Sequence, residues 1–175
     1  MRYVITGEWG RNRLLRTILW LFLLYTSLFW VTNALLFHES MGWTPGTIAQ
    51  RYLGNEEGFT QPRSFRGMLE SSHFHLFAMG MLLLTLTHLV LFAPVTDGVK
   101  GGLMLAAFGS ALADEGASWL IRYLHPDFAW LKLASFLALQ VSLAALIVVI
   151  ARALLADDPA SATEHGCPGG NGGHR

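Results

Sequence analysis

The chain carries seven histidines, and four of them, His38, His73, His75 and His125, stand beside the ends of long apolar runs. Folding those runs up and down across a membrane brings the four to one boundary. Imidazole is a common ligand of haem iron and of transition metals, and its neutral form offers a lone pair near physiological pH. The pattern predicts one non-covalent haem b near that boundary, with His73 as one axial ligand and His125 or His38 as the other. His75 would support it from the interface, and Gly80 would let the macrocycle approach the backbone. Covalent haem attachment is excluded, because Cys167 is the only cysteine and no C-x-x-C-H occurs. His73, His125 and His38 would equally suit copper or zinc. A second pair, His88 and Met104, falls at matched depth toward the opposite boundary, although methionine commonly serves as a core gap-filler. The competing structural reading needs no ligand, since amphipathic rings sit comfortably at headgroup level.

Helical phase divides the histidines. At about 100° per residue, His73, Phe77, Gly80, Leu84, Thr87, His88 and Leu91 share one face, which its glycine and polar groups mark as the interior one. The face of His75, Ala78, Leu82, Leu86 and Leu89 is expected to meet lipid. A separate polar layer lies deeper. Ser110, Asp114 and Ser118 share a face at i, i+4, i+8, Glu115 and Arg122 share another at i, i+7, and Gln140 on a later helix reaches comparable depth. Such groups are costly in hydrocarbon unless they pair. They predict either an internal ion-pair and hydrogen-bond network or a carboxylate that exchanges protons with a quinol or with the outer surface.

Those side chains need long helices to position them. Of 175 residues, 53% are hydrophobic and 14% charged, which is too apolar for an ordinary soluble domain. Crossing the hydrocarbon takes about 20 apolar residues. Four runs qualify, at about 17–37, 74–93, 101–124 and 128–155, predicting an all-α integral membrane four-helix bundle over 1–155. The third run carries Asp114, Glu115 and Arg122 and should face inward. Twelve basic against twelve acidic residues give no net charge, so no broad basic surface exists for nucleic acid. With the N-terminus in the cytoplasm, the inner side holds Arg2, Arg11, Arg13, Arg16, Lys100, Arg152 and Arg175. The outer side holds Arg51, Arg63, Arg66, Arg122 and Lys132, so the positive-inside rule puts both termini in the cytoplasm and the histidine cluster outside. Between the first two spans, Thr44-Pro45 is a helix start and Gly54 a stop, predicting a short external amphipathic helix. Ser64 is a second start that would extend the next span outward. Residues 156–175 are rich in Gly, Ala and Pro and are expected to form a disordered cytoplasmic tail, its His165, Cys167 and His174 being at most a weak metal motif.

His73-Phe74-His75-Leu76-Phe77 with Gly80, then Ala113-Asp114-Glu115-Gly116-Ala117-Ser118-Trp119-Leu120 and Arg122-Tyr123-Leu124-His125-Pro126, resemble a family of uncharacterised bacterial four-helix inner-membrane proteins. Some members carry a translation-elongation name, which a membrane chain without a phosphate-binding glycine-rich loop cannot justify. The resemblance covers about Met41 to Leu155 and implies topology rather than activity. The H-x-H-L segment also looks like haem-ligating stretches of haem-copper oxidases, whose fold needs many more helices.

The expected function is a bacterial inner-membrane redox subunit holding one b-type haem and passing electrons between quinol and an external redox partner. The alternatives are a non-catalytic helical subunit or assembly factor, and a copper- or zinc-handling membrane protein. Lipid is the certain partner, with a homo- or hetero-oligomer compatible with either reading.

Overall fold

The computed structural model describes residues 13–55 and 58–156. Arg2, Arg11 and the 157–175 segment, with its expected disorder and its His165, Cys167 and His174, lie outside the described residues. Among the described residues there are five α-helices, α1 (Arg13–Met41), α2 (Pro45–Leu53), α3 (Phe65–Val90), α4 (Asp97–Tyr123) and α5 (Ala129–Ala156), with a 3₁₀ turn at Pro126–Phe128 before the last. Among the described residues, extended pairing is confined to one isolated bridge between Asn55 and Thr60.

Capping sets the boundaries. The Thr44 side chain accepts the Thr47 N–H at 3.3 Å ahead of Pro45, and Ser64 Oγ accepts the Gly67 N–H at 3.1 Å. The second of these caps starts α3 at Phe65 rather than near residue 74, because helix continues for as long as backbone groups are satisfied, whether or not the side chains are apolar. Gly54 ends α2 with φ 84° and ψ 170°, a conformation open to glycine alone. A Cβ there would lie 2.6 Å from the Thr60 carbonyl oxygen and 2.9 Å from the Pro62 nitrogen, both backbone atoms that cannot step aside. Gly54→Ala is therefore expected to destabilise the fold by about 2 kcal/mol or more, read as thermal unfolding in mild detergent. A change within error would show that this turn relaxes freely.

Three helices, α1, α3 and α5 with its preceding turn, are long and apolar enough to cross a membrane. The fourth expected span, α4, has the length at 27 residues but carries Asp97, Lys100, Asp114, Glu115 and Arg122. Its Ala107, Ser110, Asp114, Ala117, Ser118 and Ile121 are buried, chiefly against α5. α1 instead leaves Leu14, Ile18, Leu24, Leu28, Leu35 and Leu36 open, a surface suited to lipid tails. Lipid is as apolar as leucine, so these helices associate through close packing and polar contacts rather than through removal of hydrocarbon from water.

Packing forms two apolar zones. Leu83, Leu86, Leu143, Leu146 and Ile150 centre the larger one, with Leu19 and Leu23 of α1 against it. The smaller, at the end where α2 lies, gathers Phe37, Ile48, Tyr52, Met68, Ile121 and Phe136. Phe37 of α1 stacks on Phe136 of α5 with ring centroids 3.7 Å apart. α2 is no loose surface helix, since Ile48 is wholly buried in this zone.

The inward face of α3 is turned by about one residue from the expected one, of which Thr87 alone is buried. Met68, Ser72, Met79, Leu83, Leu86 and Val90 are buried, with His75 half-buried on the same stripe, whereas Phe77, Leu84 and Leu91 are exposed. The physical reason is pairing. Turning Ser72 and His75 inward sets them beside acidic groups of α4, while Phe77 and Leu84 meet lipid without cost.

Candidate functional site

Every helix contributes to a polar cavity of about 280 Å³ at the α2 end of the bundle. α1 supplies Asn33 and Ser40, α2 Arg51 and Tyr52, α3 Ser72 and His75, α4 Asp114, Glu115 and Ser118, and α5 Lys132, with Arg63 added by the segment between α2 and α3. The volume is close to the lower end of small-molecule sites, which run from about 300 to 1,000 Å³.

At its floor lies a buried ion pair. Lys132 Nζ donates to Asp114 Oδ2 at 2.8 Å and to the Asp114 backbone oxygen at 3.1 Å, both side chains being 7% exposed. Such a pair holds because each charge would be stranded without the other. The second carboxylate oxygen, Asp114 Oδ1, is buried and has no hydrogen-bond partner among the described residues. Ser118 Oγ donates to the Asp114 backbone oxygen at 3.3 Å and lies 3.0 Å from the Tyr52 hydroxyl. Either hydroxyl can donate in the Tyr52–Ser118 bond, which ties α2 to α4.

A second chain of contacts runs from α4 back to α3. Trp119 Nε1 donates to Ser72 Oγ at 2.9 Å, and Ser72 in turn donates to Glu115 Oε1 in a short hydrogen bond. Glu115 thus presents a carboxylate fixed by one neutral donor, with no salt-bridge partner within 4.0 Å among the described residues. A carboxylate and an imidazole on one cavity wall can take up and release protons.

The histidines expected to act together each make contacts with near neighbours in sequence. His38 is half-exposed at the end of α1, with Nδ1 3.5 Å from Glu39 Oε1 and its ring 5.9 Å from Trp43. His125 Nδ1 accepts the Asp127 N–H at 3.3 Å and lies 3.3 Å from Asp127 Oδ2. His73 is exposed and meets the Phe74 ring edge-on at 5.7 Å, so the expected inward orientation of His73 does not occur. Their contacts are all local in sequence, and among the described residues no three His, Cys, Asp or Glu side chains gather as a metal site. His88, also exposed, packs edge-on against Phe92 at 5.5 Å, while Met104 is half-buried. His75, expected to face lipid, is the histidine that lines the cavity.

The expected polar layer divides too. Asp114, Glu115 and Ser118 belong to the cavity, but Ser110 Oγ only returns to the Ala107 carbonyl at 3.1 Å. Arg122 does not pair with Glu115, because its Nε donates instead to the Arg63 carbonyl at 2.9 Å. Gln140 is buried with neither side-chain polar atom bonded among the described residues, while its backbone oxygen accepts from Trp30 Nε1 at 2.9 Å. A Cβ at Gly80 would meet nothing within 4 Å. This glycine borders an apolar cleft of about 50 Å³ between α3 and α4, with His75, Met79, Leu83, Phe108, Ala111 and Leu112.

Sequence reasoning assigned Lys132 to the aqueous boundary. A signal against that was present. Around the Pro126 turn, antiparallel register sets Lys132 about level with Leu120, and the four-carbon stem spans most of the remaining six residues, about 9 Å, down to Asp114. Tyr52 and Ser72 carried no comparable signal, since each is polar in a segment with polar neighbours.

A family model described as a transmembrane helical domain matches residues 42–161 of the chain. Comparison with curated proteins and with solved structures finds no match.

Proposed function

This chain belongs to the Aq_1264_TM family of transmembrane helical domains, and on that premise we propose that it is a redox subunit of the bacterial inner membrane that binds a quinol headgroup in the polar cavity. The observation that carries this reading is continuity: His75 lines both the polar cavity and the apolar cleft beside Gly80. A ligand with a hydrogen-bonding head and a hydrocarbon tail suits that pair of spaces. The head would meet His75, Glu115 and Ser72, and the tail would leave along the cleft toward lipid.

Oxidation of a quinol to the quinone releases two protons and two electrons. Glu115 and His75 are placed to accept the protons, and an external redox protein would take the electrons. The fixed Asp114–Lys132 dipole below keeps the floor polar without changing its net charge. Haem b, with His38, His73 and His125 as its candidate ligands, is a separate expectation, since none of the three lines this cavity.

In this reading α4 crosses as the fourth span, shielded by its neighbours, and α2 lies at the outer face. Removing the buried Lys132 from the five outer basic residues leaves four against the seven inner ones, which strengthens the placement of both termini in the cytoplasm. A second reading, a non-catalytic subunit with a structural polar centre, draws on the self-contained pairing of Asp114 with Lys132.

Titration of the detergent-purified protein with decylubiquinol, followed by tryptophan quenching, tests the proposal, since Trp119 touches Ser72 at the cavity wall. Saturable quenching is expected, with His75→Ala and Glu115→Gln each weakening affinity by about tenfold and His73→Ala leaving it unchanged. Absence of saturable quenching, or equal affinity in all three variants, would overturn it. A Soret band in the purified protein that vanished in His73→Ala would replace it with the haem reading.

A further inference from the structure

The hydrogen bond that ties α2 to α4 also borders the polar cavity. Tyr52 and Ser118 both line it, with their hydroxyl oxygens 3.0 Å apart. Each hydroxyl can donate and accept, so the pair has two arrangements. In one, Ser118 donates to the Asp114 backbone oxygen at 3.3 Å and Tyr52 donates to Ser118, which leaves the phenol oxygen able to accept. In the other, Ser118 donates to Tyr52 and the phenol proton turns to a third group. That arrangement strands nothing, because the Asp114 backbone oxygen keeps the Lys132 ammonium at 3.1 Å. Among the described residues the further partner of the Tyr52 hydroxyl is the Met41 sulfur at 3.9 Å, a weak acceptor that competes poorly with an oxygen.

The Glu115 end of the cavity lacks this freedom. Trp119 Nε1 can only donate and does so to Ser72 Oγ, and Ser72 sends its one proton to Glu115. The direction of that chain is fixed, and the carboxylate at its end is an acceptor. Glu115 and Ser118 are three residues apart on α4, which sets their Cβ atoms about 5–6 Å apart on one helix face. Ser72 joins the first from α3 and Tyr52 joins the second from α2. The cavity is thus flanked by two hydrogen-bonding groups whose spacing along α4 is of the order of that between the para oxygens of a benzene ring.

A quinol oxygen carries a proton to donate, whereas a quinone oxygen only accepts. Resting on the reading of this cavity as a quinol site, we propose that Tyr52 and Ser118 hold the second ring oxygen while the first meets Glu115. By turning their two protons, the same pair accepts from the quinol and donates to the quinone. The ligand is thereby narrowed to a ring with two opposed oxygens, in preference to a monophenol.

Isothermal titration calorimetry of the detergent-purified full chain under argon tests this. The probes are decylhydroquinone, the meta-decylphenol that lacks one of its hydroxyls, and decylbenzoquinone, each affinity being corrected for partition into the micelle. The parent protein is expected to prefer the hydroquinone to the phenol by about tenfold, with the lone phenol hydroxyl going to the Glu115 carboxylate as the stronger acceptor. Tyr52→Phe should weaken the hydroquinone and the quinone by about tenfold each and leave the phenol unchanged, so that the preference falls to about one. A Tyr52 that merely seats α2 would, on losing its hydroxyl, weaken all three ligands alike, and that result would overturn the proposal. Quinone affinity indifferent to Tyr52→Phe would overturn it too. Equal binding of hydroquinone and phenol by the parent, a result that needs no variant, would also overturn it while leaving the quinol reading in place. Binding of none of the three would overturn both.

Discussion

Lys132→Met is expected to destabilise the protein by about 3–5 kcal/mol, the cost of leaving Asp114 charged and unpaired in a buried site. Asp114 already has one oxygen without a donor among the described residues, and Lys132 supplies the bonds at 2.8 and 3.1 Å that hold the carboxylate and its backbone. The double variant Asp114→Leu with Lys132→Met should recover most of the loss, because it removes both charges and leaves two apolar side chains between α4 and α5. Thermal unfolding in detergent measures both. A single variant as stable as the parent would mean that water or a proton already compensates Asp114, and the pair would then hold nothing together. The double variant also separates the two functional readings. Unchanged decylubiquinol affinity would make the ion pair purely structural, and loss of binding would make it part of the floor on which the headgroup rests.

The second large effect is expected at Ile48, the wholly buried side chain that seats α2 on Phe37, Ile121 and Phe136. Ile48→Ala should cost about 2–5 kcal/mol, with a cavity left where the side chain was. The loss should be local. α2 has nine residues and touches the larger apolar zone nowhere, so it can lift away while Leu83, Leu143 and Ile150 stay packed. Limited trypsin digestion should then cut at Arg51 faster than in the parent protein. Uniform loss of stability without faster cleavage at Arg51 would show instead that α2 and the long helices unfold as one unit.

The turned face of α3 shows where reading residues in isolation stops. Helical phase correctly separates His73 from His75, but phase has no origin of its own. Which stripe turns inward depends on what the neighbouring helix offers, and only the approach of Glu115 and Trp119 to Ser72 decides it. Gly80, read as the point where a macrocycle could approach the backbone, borders an open apolar cleft that only the packing of α3 on α4 creates.

The elements are legible in the residues alone: helices over the apolar runs, the caps at Thr44 and Ser64, the glycine stop at Gly54, and the membrane as the surrounding solvent. These are local properties, set by hydrogen bonding within a helix and by the transfer of side chains into hydrocarbon, and they require no knowledge of neighbours. Tertiary structure alone decided the site. Asp114 meets Lys132 across the Pro126 turn, Tyr52 reaches Ser118 over 66 residues of chain, and Arg63 is clamped by Arg122 over 59. A polar group in a bundle is stable only where a partner meets it, and whether a partner does depends on the relative rotation of packed helices.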